Sequence, residues 1–324
     1  MKFAVLGGGS CFAMNLCTHL TGRGDEVLSI SRSPIRSPEF TLGLETKTNF
    51  RYEQAHLVTQ LPRIMVLLDT FRPDVIINFA ALCEVGLSWN HPADYYETNV
   101  TSLVRLCEEL SIRSWFKKLV QIGSSEVYGS VEVPATEEQA VNPSSPYAVS
   151  KAAFDLHLRA LARHKSFPAV ICMPSNGYCE GQTLNRIIPK AIICALTGKK
   201  LTLQGGGAAR KSYLHADDIS KAILCVSELG RVGETYNCGP EDSTSIKDLV
   251  SLVAWRLDKS LYDIAEVGPE RLGQDSQYLL NSDKIKELGW IDEVRLLTGV
   301  DRMIEWFRKN PSLLTMETDY RHKP

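Results

Sequence analysis

A tyrosine and a lysine stand four residues apart in the run Tyr147-Ala-Val-Ser-Lys151. On a helix this spacing places both side chains on one face. An ammonium beside a phenol favours the phenolate, and an oxidised nicotinamide would add a second positive charge. Two such cations in a partly dry site can supply the roughly 4 kcal/mol that lowers a tyrosine pKa from about 10 to about 7. The pair therefore predicts a base that removes a proton from a hydroxyl group while hydride leaves the same carbon.

A second group of reactive side chains lies in the segment 123–129, which reads GSSEVYG. It follows the apolar run 118–122, a predicted strand, and so falls at the edge of a sheet where ligands bind. Ser124 can hydrogen-bond both the reacting hydroxyl and the tyrosine oxygen. Glu126, next to the hydroxyl of Ser125, adds a second acid–base group, although a carboxylate in a strand-end salt bridge is the alternative interpretation.

A glycine turn, Gly7-Gly8-Gly9, follows the first apolar run and precedes a helical pattern. Such a turn allows the backbone to approach a pyrophosphate, whose charge the helix N-terminus favours. Ser10 and Ala13 stand where the second and third spaced glycines of the fingerprint would be. A glycine turn without a ligand therefore stays open as an alternative.

The end of the second predicted strand should contact the adenosine ribose of a dinucleotide. An acidic residue there marks NAD because it accepts from the 2′-hydroxyl. This chain has Ser31-Arg32-Ser33 instead, with Arg36 nearby. A guanidinium flanked by hydroxyls suits a 2′-phosphate and favours NADP over NAD, unless Arg32 is only a solvated loop cation.

Strand and helix patterns alternate through the first half of the chain. The predicted strands are 2–6, 26–30, 50–57, 74–80, 118–122 and 169–173, and the predicted helices after the first are 61–70, 98–110 and 147–163. This alternation predicts an α/β fold, a Rossmann-type doubly wound parallel sheet. Residues 1–175 would form the dinucleotide-binding domain and 176–324 a smaller, mostly helical substrate domain. A helix at 216–228 and a strand near Tyr236 are expected to return, within about 213–239, to the first sheet.

The composition restricts the class of protein. The 324 residues are 44% hydrophobic and 23% charged, which is typical of a globular chain, and 36 basic against 38 acidic residues leave no nucleic-acid signature. Nine scattered cysteines without a Cys-x-x-Cys pair indicate reduced thiols rather than disulfides or a metal site. The first residues lack the apolar length of a signal peptide, and no run approaches a membrane span. We expect a cytoplasmic enzyme with no membrane partner.

These motifs, taken in order, resemble the extended short-chain dehydrogenase/reductase family, in particular its nucleotide-sugar branch. They are the glycine turn, Asn78-Phe79-Ala80-Ala81, Glu97-Thr98-Asn99, GSSEVYG and Tyr-x-x-x-Lys. The resemblance implies a catalytic triad of Ser124, Tyr147 and Lys151. It implies cofactor contacts by Gly7, Gly8, Gly9, Ser10, Cys11, Phe12, Ser31, Arg32, Ser33, His56, Leu57, Phe79, Ala80, Ala81, Asn99, Tyr147, Lys151 and Pro174.

Glu126 distinguishes between the enzymes of the nucleotide-sugar branch. The 4-epimerases of this family do not usually carry it, whereas the 4,6-dehydratases do. Ser125 stands where dTDP-glucose 4,6-dehydratases have an aspartate, and so looks more like GDP-mannose 4,6-dehydratases. The resemblance implies that Tyr147 takes the O4 proton of a nucleoside-diphosphate hexose and that Glu126 removes the C5 proton. Glu126 or Ser125 would then handle the proton as water leaves C6.

Segments of the second half resemble substrate-binding segments of the dehydratases. The resemblance implies substrate contacts by Ser88, Ser124, Asn176, Arg186, Lys211 and Arg271. Two cations, Lys211 and Arg271, would suit the diphosphate. Cys83-Glu84 and Gly86 depart from the Ser-His and Asp of the family, which leaves the identity of the sugar open.

Other functions compatible with the same motifs are an NAD(P)H-dependent 4-keto-6-deoxyhexose reductase, an epimerase and a decarboxylase. A non-catalytic nucleotide-binding subunit is the alternative from another class, supported by Ser10 and Ala13 but opposed by the retained Tyr147 and Lys151. The apolar residues of the helices at 98–110 and 147–163 predict a homodimer, although burial within one monomer explains them equally well.

Overall fold

The fold is built around a parallel β-sheet, in a computed structural model that describes residues 1–270 and 275–318. The strands in this part of the chain are β1 (Lys2–Leu6), β2 (Glu26–Ser31), β3 (Phe50–Gln54), β4 (Val75–Asn78), β5 (Leu119–Ile122), β6 (Ala169–Pro174), β7 (Asn176–Tyr178), β8 (Leu201–Gln204), β9 (Arg210–Lys211), β10 (Tyr213–His215), β11 (Thr235–Cys238), β12 (Thr244–Ser245), β13 (Ala265–Gly268) and β14 (Gln277–Tyr278). Among these described strands, seven form one sheet in the order β11-β6-β5-β4-β1-β2-β3.

The middle of this sheet is apolar on both faces. Every residue of β4 and β5 is buried, as expected for parallel strands covered by helices on both sides. The strand order reverses at β1, with β2 on one side and β4 on the other, so a crevice for ligands lies outside the carboxyl ends of these strands. This arrangement confirms the predicted Rossmann-type α/β fold.

Some helices of the described residues cover the two faces of the sheet, and others pack on one another in a separate core. They are α1 (Cys11–Gly22), α2 (Pro38–Thr41), α3 (Leu61–Phe71), α4 (Val85–Ser88), α5 (Pro92–Tyr96), α6 (Ser102–Ser111), α7 (Pro146–Lys165), α8 (Ile187–Thr197), α9 (Ala216–Leu229), α10 (Ile246–Arg256), α11 (Leu261–Ile264), α12 (Asp283–Lys286) and α13 (Leu296–Lys309). Leu16 of α1 and Ile223 of α9 belong to one hydrophobic core, whereas Leu68, Leu106 and Phe154 of α3, α6 and α7 belong to the other.

The helix predicted at 98–110 differs from the structure at its start. The chain first forms a π-helical turn, Glu97–Thr101, and only then enters α6. Such wide turns displace one side chain from the regular helical position. Here the Asn99 amide reaches Leu82, whose backbone N–H donates to Asn99 Oδ1 at 2.8 Å.

A third hydrophobic core lies between α8, α10 and α13, and includes Ile192, Val253 and Phe307. The strand predicted near Tyr236 is β11, and it pairs with β6 at the edge of the large sheet.

The division of the chain into domains at residue 175 stays a prediction. Within residues 1–270 and 275–318, no helix is long and apolar enough to cross a bilayer.

Candidate active site

A cavity of about 1170 Å³ opens at the carboxyl ends of the parallel strands. One wall consists of the turns that follow β1, β2, β4 and β5, and the opposite wall consists of residues from β7 through α8 and from β8 and β9. The volume exceeds the roughly 300–1000 Å³ of a typical small-molecule site. The cavity therefore has room for two ligands side by side.

Most of the predicted site residues line this cavity. They are Gly7, Gly9, Ser10, Cys11, Phe12, Ser31, Arg32, Ser33, His56, Leu57, Phe79, Ala80, Ala81, Ser124, Ser125, Glu126, Tyr147, Lys151, Pro174, Asn176, Arg186 and Lys211. Arg271 lies outside the described residues. The folded chain thus brings together groups that are separated by up to about 200 positions in the sequence.

Three predicted contact residues, Gly8, Ser88 and Asn99, lie behind the cavity wall instead of in it. A Cβ atom on Gly8 would come within 1.9 Å of Ser29 Oγ, so this glycine lets the turn pack on β2. Ser88 is fully buried and donates to Val85 O at 2.7 Å. Asn99 is also buried, and its amide is occupied by Leu82 and by Ser150 Oγ at 2.9 Å. In this structure they support the wall, and their contacts with a ligand stay predictions.

The glycine turn has the geometry of an anion cradle. Gly7 has φ +73°, and a Cβ atom there would lie 2.5 Å from the backbone nitrogen of Ala80. Both features exclude a larger residue. Ser10 is the N-cap of α1, since its hydroxyl accepts from Ala13 N at 3.2 Å. The residues that depart from the glycine fingerprint, Ser10 and Ala13, therefore form the start of helix α1. The positive end of this helix opens on the cavity.

The loop after β2 is held by hydrogen bonds to its backbone. Tyr52 Oη donates to Ser33 O at 2.9 Å, and Gln54 Nε2 donates to Arg32 O at 2.9 Å. These contacts fix Ser31-Arg32-Ser33 along the cavity, where an adenosine ribose would lie beyond the glycine turn. Arg36 takes another direction, because its guanidinium donates to Gly181 O at 3.0 Å and stacks 3.6 Å from the centre of the Phe40 ring.

The predicted catalytic pair of α7 is almost completely buried. Tyr147 is 8% exposed and Lys151 is 5% exposed. Lys151 Nζ donates to the carbonyl of Ile122 at 2.6 Å, the last residue of β5, which fixes the ammonium beneath the segment that carries Ser124. The same face of α7 therefore presents both side chains to the cavity, as the four-residue spacing predicts.

Burial is the main influence on the Tyr147 hydroxyl. It raises the pKa of Tyr147 well above the ordinary range, and the negative charge of Glu126 raises that pKa further. The hydrogen bond with Ser124 and the positive charge of Arg186 act in the opposite direction. Burial also lowers the pKa of Lys151, against the effect of Asp155 one helical turn further on. A bound cation in the cavity would add the stabilisation that the phenolate still needs.

The two walls of the cavity are joined by an ion pair that sequence reasoning did not identify. Arg186 Nη2 lies 2.7 Å from Glu84 Oε1, and Asn185 Nδ2 donates to the same oxygen at 3.1 Å. Arg186 also lies within hydrogen-bond distance of Cys83 Sγ at 3.3 Å. The only sequence signal for this ion pair was the opposite charge of Glu84 and Arg186 in two segments expected at the same edge of the sheet. The sequence does not show that the two residues meet, because this depends on the path of the chain after β6.

Some residues that line the cavity on the substrate side have a buried polar atom with no hydrogen-bond partner among the described residues. These atoms are Asn176 Oδ1, Ser175 Oγ and Gln182 Oε1. Buried acceptors and hydroxyls of this kind are normally paired, so they are suited to a polar ligand. Lys211 lies nearby, with its Nζ atom 5.0 Å from the centre of the Tyr278 ring.

The fold and this site define the class of protein. The chain belongs to the NAD dependent epimerase/dehydratase family, whose model matches residues 3–239. This match confirms the resemblance found in the motifs.

Particular relatives narrow the comparison. The chain is 29% identical over 328 residues to a probable dTDP-glucose 4,6-dehydratase of Sinorhizobium fredii, covering 96% of this chain and 93% of the relative. It is 27% identical over 343 residues to the dTDP-glucose 4,6-dehydratase of Escherichia coli, covering 96% and 94%. The structure of DesIV, a dTDP-glucose 4,6-dehydratase from Streptomyces venezuelae with NAD bound, matches with a TM-score of 0.90 and 26% identity, covering 96% of this chain and 98% of DesIV.

Proposed function

We propose that this protein is a nucleotide-sugar 4,6-dehydratase, which converts a nucleoside-diphosphate hexose into a 4-keto-6-deoxy sugar. The observation that carries this proposal is the position of Glu126 in the same cavity as Ser124, Tyr147 and Lys151. Oxidation of an alcohol needs only Ser124, Tyr147 and Lys151, whereas removal of water needs a further acid–base group. The similarity to dehydratases along almost the whole chain supports the same reaction.

Each residue of the cluster has a distinct task in this reaction. Tyr147, assisted by Lys151 and Ser124, removes the proton of the sugar O4. A bound nicotinamide dinucleotide would accept the hydride of C4 and return it to C6 after water has left, with a proton returned to C5, so that no net oxidation remains after turnover. The ketone at C4 acidifies the C5–H bond, and Glu126 removes that proton. Glu126 or Ser125 then protonates the C6 hydroxyl, which leaves as water.

The opposite wall would bind the nucleoside diphosphate and the sugar. Asn176, whose side-chain oxygen has no partner in the described part of the chain, is suited to donate and accept hydrogen bonds with sugar hydroxyls. Lys211 supplies a positive charge for the diphosphate, and Arg271 is expected to add another. The relatives named for dTDP-glucose support dTDP-glucose as the first substrate to test.

The residues of the cavity fit a nicotinamide dinucleotide. The anion cradle formed by Gly7, Gly9 and the N-cap Ser10 suits the pyrophosphate, and Tyr147 and Lys151 suit the nicotinamide end. For the adenosine end we propose a preference for NADP, because Arg32 and two serines stand where an acidic residue would select NAD. Release of the cofactor from denatured protein, followed by mass spectrometry, tests this preference; NAD alone would contradict it.

The experiment that tests the function is a substrate panel. Purified protein is incubated with dTDP-, UDP-, GDP- and CDP-hexoses, with and without added NAD or NADP, and the product masses are measured. We expect one substrate to lose one water without stoichiometric consumption of the cofactor. A substrate that keeps its mass, together with oxidation of NADPH by a 4-keto-6-deoxy sugar, would contradict dehydration and indicate the reductase instead.

We also propose a homodimer that uses α6 and α7. Val149 and Leu156 of α7 are 38% and 48% exposed in the single chain, so this helix has apolar side chains that a partner could cover. Light scattering after size-exclusion chromatography should give twice the chain mass, and a monomer at micromolar concentration would contradict the proposal. The cytoplasmic location stays a prediction.

A further inference from the structure

Asp155 is a buried acid directly behind the catalytic pair. It lies four residues beyond Lys151 on α7, so it shares a helix face with Lys151 and Tyr147. The residue is 6% exposed, and neither of its carboxylate oxygens has a hydrogen-bond partner among the described residues. An unpaired buried carboxylate is costly to a protein and needs an explanation.

The carboxylate of Asp155 and the ammonium of Lys151 approach the same strand end. A Cβ atom built on Gly123 would lie 3.2 Å from Asp155 Oδ2, which places this oxygen against the residue after β5. Lys151 Nζ donates to the carbonyl of Ile122, the residue immediately before it. The carboxylate and the ammonium thus approach consecutive residues at the end of β5 without forming a direct ion pair, and both side chains are buried, so the Coulomb attraction between them is weakly screened.

We propose that Asp155 is a positioning residue for catalysis, whose negative charge keeps the buried Lys151 side chain protonated so that Lys151 can stabilise the phenolate of Tyr147. This inference rests on the proposed function of Tyr147 and Lys151. Asp155 acts through the lysine alone, since it does not line the main cavity.

The other groups around Asp155 are consistent with this task. On α7 itself, Lys151 and Arg159 are the charged neighbours that lower the pKa of Asp155, while burial, the larger influence, raises that pKa to about 6. From the segments packed against α7, Tyr128 and Glu137 line a small cavity with Asp155, together with the uncharged Met173 and Thr235. Tyr128 donates to Asn237 Oδ1, and Glu137 accepts from Asn237 N. Among these neighbours, Lys151 is the cation whose protonation burial opposes.

The small cavity beside Asp155 measures about 20 Å³, the size of one water molecule. A water there would partly solvate the carboxylate without neutralising it. The site can therefore keep a negative charge near neutral pH and still exclude bulk solvent from the lysine.

The test compares three variants by the pH dependence of kcat and KM for the substrate found in the panel. Asp155→Asn keeps the shape and removes the charge. We expect the alkaline limb of its kcat profile, where Lys151 loses its proton, to move by about one unit to lower pH, with KM unchanged. Asp155→Glu restores the negative charge and should return the alkaline limb of the kcat profile to its wild-type pH. Asp218→Asn, at a buried carboxylate whose Oδ2 accepts from Glu293 N and Val294 N, is the control and should leave the profile unchanged.

Several outcomes would overturn the inference. One is a wild-type profile in folded Asp155→Asn protein, and another is an equal loss of kcat at every pH in both Asp155 variants, which indicates a structural role only. An Asp155→Asn chain that does not fold would also overturn it, because the charge would then serve the fold. The pH dependence of thermal unfolding gives a second readout that needs no turnover. If Tyr147→Phe keeps turnover, the proposed function fails, whereas an inactive Tyr147→Phe beside an unaltered Asp155→Asn profile sinks only this inference.

Discussion

The two walls of the cavity hold their functional groups in different ways. On the sheet side, backbone geometry positions the groups: the turn at Gly7 approaches Ala80, and a strand-end carbonyl anchors Lys151. On the opposite wall, side chains are positioned by contacts across long stretches of chain, as where Arg186 pairs with Glu84 of the sheet side. The comparison indicates that the groups on the sheet side are positioned by local sequence, whereas those on the opposite wall depend on contacts made only in the complete fold.

Substitution of Tyr147 is expected to have the largest effect and to confirm that the sheet side carries the chemistry. Tyr147→Phe removes the proton acceptor, so turnover should fall by about 10⁴-fold. Cofactor content should stay the same, because the glycine turn is untouched. Turnover is followed by product mass, and cofactor by its absorbance after denaturation. Wild-type turnover in this variant would contradict the mechanism.

Substitution of Glu126 should separate dehydration from oxidation. In Glu126→Gln the C5 proton has no acceptor, and we expect water loss to fall by about 10²- to 10³-fold. Incorporation of deuterium from heavy water at C5 should fall in parallel. Ser130→Ala, at a neighbouring serine bonded to Asp275, is the control and should keep both rates. Normal deuterium incorporation in Glu126→Gln would assign the C5 proton to another residue.

The buried carboxylate of Asp155 should lower the free energy of unfolding when it is charged. Its folded-state pKa of about 6 lies above the ordinary value of 3.8, so the folded chain binds this proton more tightly than the unfolded chain. Stability therefore rises as pH falls from about 6 to about 4, and is reduced above pH 6 by up to about 3 kcal/mol. Asp155→Asn should be more stable than wild type at pH 8 and equal to it at pH 4. Denaturant titrations at both pH values measure this, and equal stabilities at pH 8 would contradict the raised pKa.

Removal of the Arg186 charge should have the smallest effect and would test the substrate side. The positive charge of Arg186 lowers the pKa of Tyr147, and the guanidinium is partly exposed. In Arg186→Met the acid limb of kcat should therefore move to higher pH, with a loss of about fivefold at pH 7. Glu84→Gln keeps that charge and should change the limb less. Equal acid limbs in wild type and Arg186→Met would show that the arginine has no electrostatic role in catalysis.

The sequence is informative wherever function depends on short-range spacing. The pair Tyr147 and Lys151, the glycine turn and the alternation of strands and helices all follow from periods of a few residues, and the structure contains each of them. Ser88 and Asn99 lie behind the cavity wall, because a polar residue in such a motif can bind the backbone of its own chain as well as a ligand. The π-helical turn at 97–101 that brings Asn99 to Leu82 has no signature in the hydrophobic pattern.

The contacts that the sequence did not predict join residues that are far apart along the chain. Glu84 and Arg186 are separated by about a hundred residues, and nothing in either segment specifies the other. Asp155 is an intermediate case. Its spacing from Lys151 is visible in the sequence, but an acid at that position is normally interpreted as an exposed helical pair. Only the packing of α7 on β5 and β6 shows that the carboxylate is enclosed.

The return of β11 to the large sheet has a consequence for how the protein is made. The edge of β6 is left unpaired while the ribosome synthesises residues 175–234, and it gains its neighbour only when Thr235–Cys238 emerges. An unpaired edge in a buried, apolar strand invites pairing with other chains. A fragment ending at residue 175 is therefore expected to aggregate when expressed alone, whereas a fragment extended past residue 238 completes its sheet. The solubility of residues 1–174 thus depends on a strand that is made about sixty residues later.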